Sequence, residues 1–245
     1  MHRFFVEPEQ IGERNIRILG GDVNHISHVL RMKTGDEICI SDGDKKEYTC
    51  QIREITPEEV TAEILYSQET GLELPCQVTL FQGLPKGDKM ELIVQKAVEL
   101  GAWEIVPMAT RRAVVKLDKK KEEAKLRRWQ GISESAAKQA KRMRIPQVRP
   151  VMTFAEAVKY ASQMEVRLIP YELAQDMSAT RKVLEDIQPG QRIGIFIGPE
   201  GGFDPEEVEL AISNEIIPIT LGKRILRTET AGFTLLSILM YLLEE

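Results

Sequence analysis

The sequence of residues 193–207 predicts a strand, a glycine-rich loop and the start of a helix. Apolar residues 193–197 predict the strand, which runs directly into Gly198-Pro199-Glu200-Gly201-Gly202-Phe203. Asp204 fits the N-cap of the following helix, and Pro205 fits its first position. In open α/β sheets, ligands bind beyond the carboxyl ends of strands, where glycines let them approach the backbone. The segment therefore predicts an α/β fold with a ligand site, and a plain turn that needs left-handed glycines is the alternative.

This loop lacks the signatures of phosphate binding. It has neither the G-x-G-x-x-G order of a dinucleotide fingerprint nor the Gly-Lys-Ser/Thr ending of a P-loop. The carboxylate of Glu200 would also repel a phosphate group. The expected ligand is therefore neutral or cationic rather than a pyrophosphate.

A second glycine turn precedes the last predicted helix. Residues 217–221 predict a short strand, which leads into Gly222-Lys223-Arg224-Ile225-Leu226-Arg227-Thr228-Glu229-Thr230-Ala231. Residues 231–243 are the most apolar stretch, too short to cross a bilayer, and they predict a buried helix. Charged and hydroxyl side chains at the mouth of such a helix indicate function. Capping of the helix by Thr228 or Thr230 is the alternative for those two residues.

The chain divides near Thr70-Gly71, followed by Pro75, into residues 1–72 and residues 73–245. The first part is rich in short strands and tight turns. It predicts strands over 37–41, 48–55 and 60–66, a hairpin turn at Asp42-Gly43-Asp44 and a short helix over 23–32.

Strands alternate with helices in the second part. Asp88 and Glu91 suggest a capping box at the start of one helix, which Gly101 ends. The further predicted strands are 78–82, 104–108, 166–170 and 192–198, and the further helices are a basic helix or helix pair over 122–144 and a helix over 154–163. This alternation predicts an α/β domain with a largely parallel sheet.

Charge is distributed unevenly along the chain. The net charge is −5, but residues 111–149 hold 14 Lys or Arg against 4 Asp or Glu, a local net charge of +10. The remainder therefore carries −15. Clustered cations bind nucleic acid by releasing its condensed counterions, so this segment favours an RNA or DNA partner over a plain solvated helix face.

Cysteine and histidine are sparse. The spacing of the three cysteines and three histidines matches neither a metal knuckle nor a disulfide framework, so we expect no metal site. Free thiols fit a reducing cytoplasm. The N-terminus has no apolar core of signal-peptide length, so we expect neither secretion nor membrane association.

The two glycine motifs together resemble the RsmE family, ribosomal RNA small-subunit methyltransferases that make 3-methyluridine with S-adenosylmethionine. The resemblance extends over most of the chain. It is also carried by His2-Arg3-Phe4-Phe5, His25-Ile26-Ser27-His28-Val29-Leu30-Arg31, residues 86–91, Glu99-Leu100-Gly101, Thr110-Arg111-Arg112, residues 136–144 and Pro146.

The resemblance implies a SPOUT-type α/β domain, in which the parallel sheet carries a trefoil knot, and a small N-terminal PUA-like β-barrel domain. It implies methylation of N3 of a specific uridine in 16S rRNA, on the assembled or nearly assembled small subunit. It also implies a homodimer with S-adenosylmethionine as its cofactor.

By the same resemblance, three loops would hold the cofactor. Their residues are Pro170, Tyr171 and Glu172; Gly198, Pro199, Glu200 and Gly201; and Leu221, Gly222, Ile225 and Leu226. Arg227 is the candidate cation that faces the uracil oxygens, and Glu229 is the candidate general base. For Glu229 the alternative is a carboxylate that only favours the start of a helix.

RNA contact is assigned to two groups of residues. Those of the basic segment, expected to meet phosphates, are Arg111, Arg112, Lys138, Lys141, Arg142 and Arg144. Residues 1–72 carry 8 Lys or Arg against 14 Asp or Glu, so RNA binding by that part would need a local patch. The candidates for this patch are Arg3, His25, His28 and Arg31.

Three other functions stay open from the sequence. One is a SPOUT methyltransferase that modifies another RNA or another atom. A second is an RNA-binding assembly factor without catalysis, which failure to bind S-adenosylmethionine would favour. The third, a Rossmann oxidoreductase, is disfavoured because the dinucleotide fingerprint is missing.

Overall fold

The computed structural model describes residues 1–44, 46–69, 71–174 and 176–244. The chain forms two compact units. The first comprises Met1–Glu73 with Ala137–Ile145, and the second comprises Leu74–Ala136 with Pro146–Glu245. The segment Ala137–Ile145 thus groups with the N-terminal residues, whereas the sequence division near residue 72 places it in the second part.

Strands and short helical turns make up most of the described residues of the first unit. They are β1 (His2–Phe5), a 3₁₀ turn (Pro8–Gln10), β2 (Asn15–Leu19), α1 (Gly21–Asn24), a π turn (His25–Val29), β3 (Glu37–Ser41), β4 (Lys46–Ile55) and β5 (Glu59–Glu69). The sheet order is β1-β3-β4-β5-β2, with β1 and β3 parallel and the other neighbours antiparallel. Its core is made by alternate apolar side chains such as Phe4, Ile16, Ile38 and Ile52.

The strands predicted in this unit are confirmed. The first, over 37–41, has the predicted bounds, and the other two are longer than predicted. The helix predicted over 23–32 stops at Val29, and Arg31 has a left-handed φ of 54° that a helix cannot continue through.

Buried polar contacts fasten the segment Ala137–Ile145 within the first unit. The Arg142 guanidinium pairs with the Glu73 carboxylate, and the Ser41 hydroxyl donates to the Met143 carbonyl over 2.6 Å. Lys141 has φ 58°, so the preceding helix ends at Gln139. The prediction of helix over 122–144 was therefore wrong at its carboxyl end.

In the described residues of the second unit, strands and helices mostly alternate along the chain. They are β6 (Gln77–Gly83), α2 (Lys89–Glu99), β7 (Glu104–Ala109), α3 (Lys119–Gln139), β8 (Gln147–Val148), β9 (Met152–Thr153), α4 (Phe154–Ala161), β10 (Val166–Pro170), α5 (Met177–Glu185), β11 (Arg192–Ile197), α6 (Pro205–Ser213), β12 (Ile217–Ile219) and α7 (Thr228–Leu243). The last residues of α3 lie in the first unit. The short helix α5 was not predicted from the sequence.

All strand pairs of this second sheet are parallel, in the order β12-β10-β11-β6-β7-β8, with β9 also beside β7. Its central strands β6 and β11 are almost continuously buried, as helices on both faces require. Between them, the rings of Phe81 and Phe196 stack with centroids 4.4 Å apart. The predicted α/β fold with a parallel sheet is confirmed. Because the strands are parallel, their carboxyl ends share one edge of the sheet.

The capping predicted from the sequence is observed at the start of one helix and not at the start of another. At α6 the predicted Asp204 N-cap is confirmed and is part of a capping box, with Asp204 accepting from the Glu206 amide and Glu207 accepting from the Asp204 amide. At α2 the predicted box was wrong, because the Asp88 side chain makes no cap hydrogen bond. Glu91 instead accepts a hydrogen bond from Arg128 of α3 over 2.7 Å. Among the described residues, no helix is both long and apolar enough to cross a membrane.

Candidate functional site

The glycine-rich loop after β11 lies against the end of the neighbouring strand β6. A Cβ atom added to Gly83 would lie 2.6 Å from the Pro199 nitrogen, so this close approach requires glycine. Gly202 has φ 68°, and its amide donates to the Pro199 carbonyl over 2.9 Å. A Cβ at Gly201 would lie 3.2 Å from the Cβ of Arg112. The glycines thus form a tight turn whose backbone lies at the edge of the sheet where the carboxyl ends of the strands meet.

Glu200 anchors this loop to the start of α2. Its carboxylate accepts hydrogen bonds from the Lys86 amide over 3.1 Å and from the Lys89 ammonium over 2.9 Å. Burial raises the pKa of Glu200, but the hydrogen bonds from Lys89 and the backbone outweigh it, and the net pKa lies below its ordinary value. The hydrogen bond to Glu200 in turn raises the pKa of Lys89. The loop therefore carries a fixed negative charge.

Arg227 and Glu229 flank the start of α7. Arg227 is the N-cap residue, and its exposed guanidinium forms no ion pair within the described residues. Glu229 is partly buried, with Oε2 3.6 Å from the Lys89 ammonium. That oxygen is shielded from solvent and accepts no hydrogen bond in the part of the chain that the structure describes. One cation and one incompletely partnered carboxylate oxygen therefore lie two residues apart.

Thr228 makes an internal contact rather than a helix cap. Its hydroxyl donates to the Gly198 carbonyl over 2.6 Å and accepts from Nε2 of Gln82 over 2.8 Å. The N-cap side chain itself makes no cap hydrogen bond. The capping alternative for Thr228 was therefore wrong.

The other two predicted loops follow β10, which lies next to β11 in the sheet, and β12, which lies next to β10. After β10, the Tyr171 amide donates to the Ile219 carbonyl over 3.0 Å, which joins the two strand ends. After β12, Gly222 has φ 111° and Ile225 is 87% exposed. Glu172 is exposed, and Pro170, Leu221 and Leu226 are partly buried. The topology thus brings all three loops to one edge of one sheet.

Comparison with known proteins assigns both parts of the chain. A family described as RNA methyltransferase domain matches residues 72–240, and one described as RNA methyltransferase PUA domain matches residues 18–65. The ribosomal RNA small subunit methyltransferase E of Bacillus subtilis is 36% identical over 98% of this chain and 96% of its own.

The chain belongs to the ribosomal RNA small subunit methyltransferase E family.

Two solved structures extend the likeness to three dimensions. The ribosomal RNA small subunit methyltransferase E of Neisseria gonorrhoeae, bound to S-adenosylmethionine, is 31% identical, with a TM-score of 0.83 over 99% of this chain and 98% of its own. A putative methyltransferase of Legionella pneumophila, in complex with the same cofactor, is 32% identical, with a TM-score of 0.85 over 98% of this chain and 96% of its own.

Three of the cations predicted to bind RNA instead pair with carboxylates of the first unit. Arg142 is 4% exposed and pairs with Glu73, and the nearly buried Arg3 pairs with Glu47. The Lys138 ammonium lies 2.9 Å from Asp22. Moving such a cation to a phosphate would leave a buried or half-buried carboxylate unpaired, which is costly. These three residues therefore stabilise the unit, contrary to the RNA contact expected from the sequence.

The remaining residues predicted to bind RNA are more accessible. His25, His28, Arg31 and Lys141 are exposed, and Arg144 is partly buried. Arg111 and Arg112 lie beside the glycine loop, where Arg112 donates to the Gly201 carbonyl over 3.3 Å. Arg111 pairs with Glu206, yet 58% of its side chain is exposed.

Three side chains that organise this site were not predicted from the sequence. They are Gln82, Lys89 and Thr228, the last of which was considered only as a helix cap. A polar residue that ends an otherwise apolar strand was the available signal for Gln82. Lys89 lies in the segment 86–91 that supported the family resemblance, but nothing in the spacing indicated its contact with Glu200. Among the described residues, no group of His, Cys, Asp and Glu could hold a metal ion, and all three cysteines are buried and free.

Proposed function

We propose that this S-adenosylmethionine-dependent rRNA methyltransferase methylates N3 of a specific uridine in 16S rRNA, in the assembled or nearly assembled small subunit. The observation that carries the proposal is the meeting of three loops at one sheet edge, with Arg227 and Glu229 at the adjoining start of α7. The choice of uridine N3 comes from the resemblance of these motifs to the family's.

The loops suit a cofactor that carries a sulfonium cation. Gly222 offers backbone with no other heavy atoms around its Cβ position, and the exposed Ile225 offers an apolar wall for an adenine ring. The ionised Glu200 is compatible with a nearby positive charge, although it would repel a phosphate. We propose that the cofactor is held by Pro170, Tyr171, Glu172, Gly198, Pro199, Glu200, Gly201, Leu221, Gly222, Ile225 and Leu226.

The bound cofactor supplies an electrophilic methyl group. Loss of the N3 proton places negative charge on the uracil nitrogen and oxygens, and N3 would then attack the methyl group as its bond to the sulfonium sulfur breaks. The exposed guanidinium of Arg227 faces those oxygens and stabilises this charge. The Glu229 carboxylate, two residues from Arg227, accepts the N3 proton. Much of the rate gain comes from holding the two reactants in line.

RNA binding is assigned to the accessible cations of both units. Arg111, Arg112, Lys141 and Arg144 contact phosphates and add affinity more than sequence choice. His25, His28 and Arg31 form the local patch of the N-terminal unit, which is acidic elsewhere. We place the reaction in the cytoplasm, where small ribosomal subunits are assembled.

A second copy of the chain covers the outer face of α7. Phe233, Ile238, Tyr241 and Leu242 line an apolar groove on this helix, and Tyr241 is 81% exposed. An exposed apolar patch of this kind marks an association surface. Light scattering should give the mass of a dimer, and Tyr241→Glu should give a monomer. A monomeric wild-type protein would contradict this part of the proposal.

The substrate is tested with particles and free RNA side by side. Small subunits and naked 16S rRNA from cells that lack the modification are incubated with the protein and S-adenosylmethionine, and nucleosides are identified by mass spectrometry. We expect 3-methyluridine in the particles and little in naked RNA. A different methylated base, or none together with no cofactor binding by calorimetry, would overturn the proposal.

A further inference from the structure

Gln82 is an unusual residue for its position. It lies next to last in the central strand β6, is 0% exposed, and follows the buried apolar residues Leu80 and Phe81. Burying an amide among apolar side chains is unfavourable unless it is hydrogen-bonded. Its Nε2 group is hydrogen-bonded, whereas its buried Oε1 accepts no hydrogen bond from the described residues.

The hydrogen bonds around Gln82 have only one consistent direction. The Thr228 hydroxyl has a single proton, which it donates to the Gly198 carbonyl over 2.6 Å. The same oxygen must therefore accept from Nε2 of Gln82, 2.8 Å away. The second proton on Nε2 goes to the Gly83 carbonyl over 3.0 Å. Both acceptors face Nε2, and this fixes the amide orientation.

This chain of hydrogen bonds joins the segments that form the proposed site. Gly198 begins the glycine-rich loop, and Gly83 ends β6 where that loop packs. Thr228 lies between Arg227 and Glu229 in the chain. The hydroxyl therefore ties the first turn of α7 directly to the loop proposed to hold the cofactor.

We propose that Thr228, held by Gln82, is a positioning residue that fixes Arg227 and Glu229 relative to the loop after β11. The inference rests on the proposed roles of Arg227 and Glu229. Without this contact, the start of α7 is free to shift from the loop while both flanking side chains remain present. A displacement near 1 Å can lower the rate of a positioned reaction by about 100-fold.

The test compares Thr228→Val, which removes the hydroxyl but keeps the shape, with Thr228→Ser, which keeps the hydroxyl. The matched control is Thr79→Val on the same strand β6. The buried Thr79 hydroxyl donates to Glu104 over 3.1 Å, three residues along the strand from Gln82 and outside its hydrogen bonds. Each variant is assayed for kcat, for KM of S-adenosylmethionine and for melting temperature.

We expect Thr228→Val to lower kcat by about 10- to 100-fold, with KM little changed. Thr228→Ser should restore most of kcat. Thr79→Val should lower the melting temperature by about 2–4 °C and leave kcat unchanged. Wild-type kcat in Thr228→Val, or an equal loss of kcat in Thr79→Val, would overturn the inference.

A double variant distinguishes a loss of positioning from a loss of stability. Gln82→Leu with Thr228→Val replaces the buried amide and hydroxyl by apolar groups, which should recover part of the stability lost in Thr228→Val, because the unpaired amide is removed. If the hydroxyl positions the site, kcat stays low in the double variant although its melting temperature recovers. If kcat recovers with the melting temperature, the role is structural and the inference fails. An inactive wild-type protein would instead contradict the proposed function.

Discussion

The ammonium of Lys89 lies 2.9 Å from Oε1 of Glu200. This ion pair connects α2 to the glycine-rich loop, and the same ammonium lies 3.6 Å from Oε2 of Glu229. Lys89 therefore places one positive charge between a proposed cofactor residue and a proposed general base.

We expect Lys89→Met to weaken cofactor binding, because it removes a charged hydrogen bond that anchors Glu200. Lys89→Arg should retain most of the affinity. Lys125→Met is the control, since Lys125 is also in the second unit and contacts Asp88 and Glu91 rather than the loop. Calorimetry with S-adenosylmethionine measures the effect, and equal affinities for Lys89→Met and Lys125→Met would contradict it.

Arg227→Ala should lower kcat by about 100-fold, the usual loss when one donor to a developing negative charge is removed. Affinity for S-adenosylmethionine should be unchanged, because Arg227 is proposed to face uracil. Arg224→Ala, an exposed residue of the same segment, is the matched control. Methylation at the full rate by Arg227→Ala would remove this role.

Glu229→Gln separates catalysis from helix stabilisation. If Glu229 accepts the N3 proton, kcat falls although the melting temperature is little changed. If it only favours the helix start, the melting temperature falls slightly and kcat is unchanged. We expect the first result, measured as kcat and melting temperature beside the wild-type protein.

Gly83→Ala tests the close approach of β6 to the glycine loop. The added methyl group would clash with the Pro199 backbone, so we expect a loss of about 1–3 kcal/mol in the free energy of unfolding and weaker cofactor binding. Gly131→Ala in α3 meets no atoms within 4 Å and should stabilise the protein by about 1 kcal/mol. Denaturant unfolding measures both, and equal stabilities would argue against the packing described.

A pH-dependent contribution to stability comes from Glu165. The hydrogen bond from Arg192 lowers the pKa of Glu165 from 4.5 to about 2. A carboxyl with a depressed folded-state pKa stabilises the fold above its unfolded pKa, and the contribution is lost as pH falls to the folded pKa. Glu165→Gln should therefore lower the melting temperature at pH 7 and converge with wild type near pH 2. Glu209→Gln, an exposed carboxyl without an ion pair among the described residues, should show no such difference.

The sequence was sufficient to predict the parallel sheet and the place of its loops. Apolar runs such as 193–197 are recognisable because both faces of a parallel sheet are covered. The glycine motifs could be located because they follow those strands directly.

Contacts between distant residues could not be predicted in this way. Gln82 and Thr228 are 146 residues apart, and Lys89 and Glu200 are 111 apart. Similarly, Arg142 was expected to contact RNA, because the charge pattern of the sequence shows a cluster of cations. The pattern does not show that Arg142 pairs with Glu73. Local periodicity carries no information about such partners.

Transfer of a methyl group to uridine N3 is tested with S-adenosylmethionine that carries a deuterated methyl group. Small subunits lacking the modification are treated with wild-type protein or with Arg227→Ala, and their nucleosides are analysed by mass spectrometry. We expect 3-methyluridine carrying the deuterated methyl group with the wild type, and almost none with Arg227→Ala. Label on another base or position, or equal labelling by both proteins, would contradict it.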